Sequence, residues 1–221
     1  MENDISVQNK IFGKTFFWMF LGLLGTAIIA WYTYSSGLFI NIIWGNSFGI
    51  LLIVELVAVL LFSLLFRKLP PIAVGILYFI YSMINGITLS TIFVVFELSS
   101  IVYLFVISAI IFAVLAFIGY RTQKDLSSWG PYITVFLIAG IVLSFINLFF
   151  LKSSTLDLAI DWLILILFFG VTVYDIRKIK DFQAQQDFYP DKIHIYCAMQ
   201  LYLDFINIFL RILSIFGKRR D

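Results

Sequence analysis

The chain has 221 residues, 62% of them hydrophobic and only 13% charged, with a mean hydropathy of +1.03. A soluble domain carries about 25% charged residues because its surface is wet, so this composition excludes a water-covered globule and requires a single integral membrane domain over residues 1–221. The formal net charge of +2 implies no nucleic-acid partner, and one cysteine, Cys197, excludes an internal disulfide.

The opening "MENDISVQNKIFGK" is polar and mixed in charge, and the apolar run after it lacks a small-residue cleavage pattern. That run is therefore a first transmembrane helix rather than a cleaved signal peptide. A hydrocarbon core about 30 Å thick takes about 20 apolar residues per helix. Seven runs meet or approach that length: 16–35, 48–66, 71–96, 101–119, 131–150, 158–178 and 193–216. The fold class is all-α, with seven transmembrane helices. The breaks are "SSG", "RKLPP", "ELSS", "RTQKDLSSWGP" and "KSSTLD", and then the long polar connection "RKIKDFQAQQDFYPDK" at 177–192. Apart from that last one the connections are short, so successive helices are expected to be antiparallel neighbours.

Lysine and arginine in short loops set the orientation. With the N-terminus inside, the cytoplasmic segments hold Lys10, Lys14, Arg67, Lys68, Arg121, Lys124, Arg177, Lys178, Lys180 and Lys192, while the outer loops hold only Lys152. The expectation is a multi-pass inner-membrane protein with a cytoplasmic N-terminus. Seven crossings leave the basic tail "GKRRD" outside, against the rule. A seventh segment that re-enters would return it inside, but 24 residues over 193–216 are long enough for a full span.

An ionisable residue at mid-bilayer costs about 2.5–3.5 kcal/mol on insertion scales and normally faces a partner or a wet cavity. The candidates are Glu55, Asp161, Asp175, Asp204 and Arg211. In the last segment, Gln200, Asp204, Asn207 and Arg211 recur at i, i+4, i+7 and i+11. At about 100° per residue they form one narrow polar stripe, with Tyr196, Cys197 and Ser214 at its margins. Such a stripe needs protein or water along it, so the last helix is expected to be enclosed by the others.

In the sixth segment, Asp161, Thr172 and Asp175 share a face. Asp204 lies near the midplane, whereas Asp175 sits just before the basic cluster. The two match in depth only if the sixth helix projects past the membrane through about residue 183, which the polar, helix-compatible "KIKDF" allows. Two carboxylates within about 4–6 Å do not both ionise cheaply, so one pKa rises and the pair titrates as a unit, which makes it a proton sensor. Taken singly, Asp175 also reads as an interfacial charge beside Arg177 and Lys178, and Asp204 as a hydrogen-bonded carboxylate fixing helix register.

Glu55 and Arg211 both fall roughly 8–12 Å below the outer interface at 1.5 Å per residue, so they are expected to pair as an outer clamp. Arg67, at the inner end of the second helix, is placed to reach the aspartates. Asp161 reads as a solvated residue at the outer end of its helix. His194 and Cys197 have no second ligand at metal spacing, and "GNSFG" at 45–49 matches a small-xxx-small spacing at a helix start.

With "NGITLSTIF" (85–93), "IFAVLAFIGYRTQKDLSSWG" (111–130), "VYDIRKI" (173–179) and "LYLDFINIFLRILSIFG" (201–217), the chain resembles a bacterial member of the transmembrane Bax inhibitor motif family. The resemblance covers most of the chain, and the N-terminal quarter matches only in pattern. It implies six helices surrounding a central, polar-striped seventh. It also implies a pH-sensitive calcium leak gated by paired aspartates, here Asp175 and Asp204, with Arg67 as the associated basic residue. The chain departs from the family pattern in "FLRILS", where Arg211 stands one turn early and Ser214 fills the later place.

No enzyme is expected. "VYDI" matches one half of an intramembrane aspartyl protease signature, but "YLDF" lacks the Gly-Asp of the other half, and residues 193–216 offer no lysine for a retinal Schiff base. The leading expectation is a passive calcium leak needing no cofactor, with calcium as permeant ion held transiently by Asp175 and Asp204, and protons as regulator. Hard cations prefer such oxygen ligands. A proton-coupled calcium exchanger and a non-conducting regulator of other membrane proteins are the alternatives. The lipid bilayer is a partner in every case.

Overall fold

A computed structural model describes residues 2–40, 47–184 and 191–220. Its principal helices are α1 (Glu2–Ser35), α2 (Ser47–Leu65), α3 (Pro71–Leu89), α4 (Leu98–Arg121), α5 (Gly130–Ile146), α6 (Ser154–Ala184) and α7 (Ile193–Phe216). Among the described residues there is no strand, only an isolated bridge between Phe96 and Arg219. Among the described residues six helical stretches are long and apolar enough to cross a membrane, and the apolar part of α2, Gly49–Leu65, is shorter. "GNSFG" begins on residues outside those described.

Two compact units are distinguishable, and α7 passes from one to the other between Tyr202 and Leu203. The first comprises Met1–Leu98, Gln185–Tyr202 and Arg219–Asp221; the second comprises Ser99–Ala184 and Leu203–Lys218.

In the first unit, α3 starts with Pro71 inside its first turn, where a missing N–H costs nothing. Its buried residues Val74, Tyr78, Tyr81, Ser82, Asn85 and Leu89 recur at helical spacing. That face meets α1 closely. A Cβ on Gly22 would stand 2.0 Å from the Tyr78 hydroxyl, and one on Gly86 would stand 2.7 Å from the Thr26 carbonyl oxygen. The buried Lys192 closes the other end of the unit, its Nζ donating to the carbonyls of Leu69 (2.7 Å) and Arg67 (3.2 Å) just beyond α2. A buried ammonium there is satisfied by carbonyls of the turn between α2 and α3.

The tail settles how α7 runs. Arg220 donates from its backbone N–H to Val95 O (2.9 Å), and its guanidinium donates to Phe93 O (2.9 Å) and the Tyr34 hydroxyl (2.6 Å). Lys192, before α7, is therefore tied to the start of α3, and Arg220, after it, to the chain just past the end of α3. The last helix is continuous over Ile193–Phe216 and does not turn back.

In the second unit, α4 and α6 touch through Gly119, whose Cβ would lie 2.8 Å from the Val173 carbonyl oxygen and 2.9 Å from Ile176 Cβ. Both obstacles belong to or hang directly from the α6 backbone, which has little room to retreat. Gly119→Val is expected to destabilise the fold by about 1–3 kcal/mol, measurable as a lower midpoint in thermal unfolding in detergent. The later part of α7 packs on α4 by aromatic edges, Phe205 meeting Phe105 and Phe112 with centroids 5.2 and 5.7 Å apart. Between α5 and α6 the chain makes a π turn over Asn147–Leu151 and then a left-handed residue, Lys152, at φ 48°. Asn147 locks that turn by donating to Ser153 O (3.0 Å) and accepting from Ser153 N–H (3.1 Å).

The connection expected at 177–192 is a correction: residues 177–184 continue α6. The reason is local. "RKIKDFQA" contains no glycine or proline, and Arg177 pairs with Asp181 at i+4, 3.0 Å apart, while donating to Thr122 O at 2.9 Å.

Candidate functional site

The extension of α6 through Ala184 meets the condition under which Asp175 and Asp204 reach a common depth. Both are buried, with 7% and 3% of their surface exposed. Asp204 lies within Coulombic reach of Asp175 and beside Thr172, whose hydroxyl donates to Phe168 O at 2.8 Å. One oxygen of Asp204, Oδ2, is buried without a hydrogen-bond partner. In a site this dry, two negative charges side by side are prohibitively costly. The arrangement is suited to holding a proton between two helices and to meeting a cation with oxygen ligands.

Asn207, on the same stripe, turns its amide back to Leu203 O (2.8 Å). Its amide hydrogen is thereby engaged while its side-chain oxygen stays available as an acceptor. Gln200 lies on the part of α7 in the first unit and is half-buried. Arg67 is exposed just beyond α2, in that same unit.

Two expectations are corrected at the other end of α6. Arg211 takes Asp161 as its carboxylate, Nη1 to Oδ1 at 2.5 Å, where the sequence offered it Glu55. Asp161 is accordingly not a solvated terminus; it is buried at 7% exposure, and its second oxygen accepts from Ser214 Oγ at 2.5 Å. The departure in "FLRILS" explains this. Arg211 and Ser214 stand three apart on one helix face and grip the two oxygens of a single carboxylate. Depth along the membrane made Glu55 and Arg211 look matched, but depth says nothing of azimuth.

Glu55 has its own polar surroundings in the first unit, beside Thr88 and Asn85. They border a network that sequence reasoning missed. The Tyr202 hydroxyl donates to Asn85 Oδ1 (2.9 Å) and meets Thr26 Oγ1 at 2.7 Å, and Thr26 is also within 2.9 Å of the carbonyls of Gly22 and Ser82. The available signal was three buried polar side chains on three helices, but tyrosine in "QLYLDFINIF" counts as apolar in a hydropathy pattern. Tyr202→Phe is expected to cost about 0.6–1.7 kcal/mol, the range for hydrogen bonds between membrane helices, seen as a lower unfolding midpoint.

The comparisons with known proteins bear on this geometry. A family model described as Inhibitor of apoptosis-promoting Bax1 matches residues 8–221. The chain belongs to the Bax inhibitor family. It is 38% identical to the Escherichia coli K12 inner membrane protein YbhL over 209 residues, covering 92% of this chain and 89% of that protein. An uncharacterized protein of Borreliella burgdorferi is 34% identical over 225 residues, covering 100% and 97%. Rickettsia prowazekii RP147, also uncharacterized, is 34% identical over 211 residues, covering 94% and 89%. As a Bax inhibitor family protein the chain is a multi-pass membrane protein, in keeping with its six long apolar helices.

Asp125, in the loop before α5, is an exposed acid outside the pair. The Ser127 backbone N–H donates to its Oδ1 at 2.8 Å and holds the carboxyl below the usual carboxylate range, helped by the Ser127 hydroxyl and Arg177. Its support of the loop is present above the unfolded value and lost only as pH falls through the lower folded value. Asp125 stays ionised at neutral pH and is no rival as a sensor there.

Proposed function

We propose that the protein is a passive, pH-sensitive calcium leak of the bacterial inner membrane, gated by a proton held between Asp175 and Asp204. The observation that carries this reading is a buried carboxylate with one oxygen unpartnered, facing a second buried carboxylate on the neighbouring helix. With the proton bound, the pair carries less charge and links α6 to α7. Once the proton leaves, the two charges repel and present hard oxygen ligands of the kind calcium takes. The pair thus biases one of two arrangements of the same two helices, and no bond is made or broken beyond the proton's.

The excess of lysine and arginine in alternate loops supports a cytoplasmic N-terminus, and the name of the Escherichia coli relative supports the inner membrane. The test is calcium entry into proteoliposomes loaded with a calcium dye, recorded as pH is stepped across neutrality. Entry down the calcium gradient that responds to pH is the expected result. Calcium moved uphill by an imposed proton gradient would instead identify an exchanger, and no entry above empty liposomes would leave a non-conducting regulator.

A further inference from the structure

The second unit carries a groove of about 830 Å³ between α5 and α6. Its walls include Trp129, Tyr132 and Phe136 on one side and Ile166, Gly170 and Tyr174 on the other. At about 100° per residue, Ile166, Gly170 and Tyr174 lie on one face of α6, while Asp161, Thr172 and Asp175 lie on the opposite one. The groove is therefore on the back of the helix that bears both buried acids. Nothing stands within 4 Å of the position a Cβ would take on Gly170, so this glycine deepens the floor of the groove.

The mouth of the groove has a different character. Trp129 and Tyr174 are amphipathic aromatics of the kind that sit at headgroup level. Lys178 Nζ lies 5.8 Å from the centre of the Tyr174 ring, and Lys124 is exposed two residues before Leu126, another lining residue. Arg121, Arg177 and Lys180 complete a cationic end of the unit. Against these five stand Asp125, engaged by Ser127, Asp181, paired with Arg177, and the buried Asp175, which lies within Coulombic reach of Lys178. The rim is net positive and the interior is apolar.

We propose that this groove is a binding site for one anionic phospholipid, an acyl chain lying over Gly170 and the phosphate meeting Lys124 and Lys178. Charge complementarity selects this occupant. A zwitterionic lipid fills the same apolar space but gains little from the rim, whereas basic clusters between membrane helices recognise anionic headgroups.

The test is native mass spectrometry of the full chain released from nanodiscs of equimolar phosphatidylglycerol and phosphatidylcholine. The expected result is one retained lipid, predominantly phosphatidylglycerol. Gly170→Leu fills the floor and removes that lipid. Lys124→Gln with Lys178→Gln keeps a lipid but lowers the phosphatidylglycerol preference roughly thirtyfold, each cation near the surface being worth about a factor of five. Equal retention of the two lipids by the unaltered chain would overturn the proposal. So would an unchanged preference in the double lysine variant, which alters only exposed or rim positions and decides the matter even where Gly170→Leu fails to fold.

Discussion

Asp204→Asn is expected to flatten the dependence of calcium flux on pH in proteoliposomes, and Asp175→Asn to do the same. The two substitutions are expected to act alike because the proposed titrating unit is the pair. Asp204 has one oxygen that makes no hydrogen bond, Thr172 stands beside it, and its neighbour is another buried acid. Removing either acid leaves a lone carboxylate with no shared proton. Asparagine preserves volume and one oxygen ligand, so packing against Phe105 and Phe112 through neighbouring Phe205 is unaffected. Loss of one charged ligand also weakens calcium binding, by roughly tenfold or more given how affinity follows ligand charge. In its pH dependence the double variant is expected to resemble either single one. Two independent, additive changes would mean that the acids titrate separately.

Arg211→Ala has the largest expected effect on stability, about 3 kcal/mol, with a correspondingly lower unfolding midpoint. The Asp161 side chain is only 10% exposed and would keep Ser214 alone as a donor. Removing one partner of a buried pair costs about 3–5 kcal/mol, and the low end applies because Arg211 is 31% exposed. Replacing both Asp161 and Arg211 by leucine is expected to recover most of the loss, since apolar substitution of a whole ion pair is often neutral. If Asp161→Leu with Arg211→Leu is as unstable as Arg211→Ala, the cost arises from packing around these positions and not from the orphaned charge.

The sequence carried much of this molecule because a bilayer imposes a simple ruler. Apolar length placed the last helix at 193–216, where α7 is found as Ile193–Phe216. Depth matching made the pairing of Asp175 with Asp204 conditional on α6 running on to about residue 183, and α6 ends at Ala184. Helical spacing anticipated a largely buried last helix, and its apolar window has a larger buried share, 56%, than that of any other candidate span. What failed was everything that depends on azimuth and reach. Arg211 has a long side chain and turns to Asp161, so a pairing with Glu55 drawn from depth alone was misplaced. Tyr202, Asn85 and Thr26 come from three helices, and their hydrogen bonds have no one-dimensional signature.

Infrared difference spectra recorded between acidic and neutral pH, in lipid, test the central claim most directly, because a protonated carboxyl has its own stretching band. A single band that disappears as pH rises is expected for the unaltered protein. It should be absent or displaced in both Asp175→Asn and Asp204→Asn, while Asp125→Asn leaves it in place. A band that survives in either single aspartate variant at its original pH and frequency would contradict a proton held in common by Asp175 and Asp204.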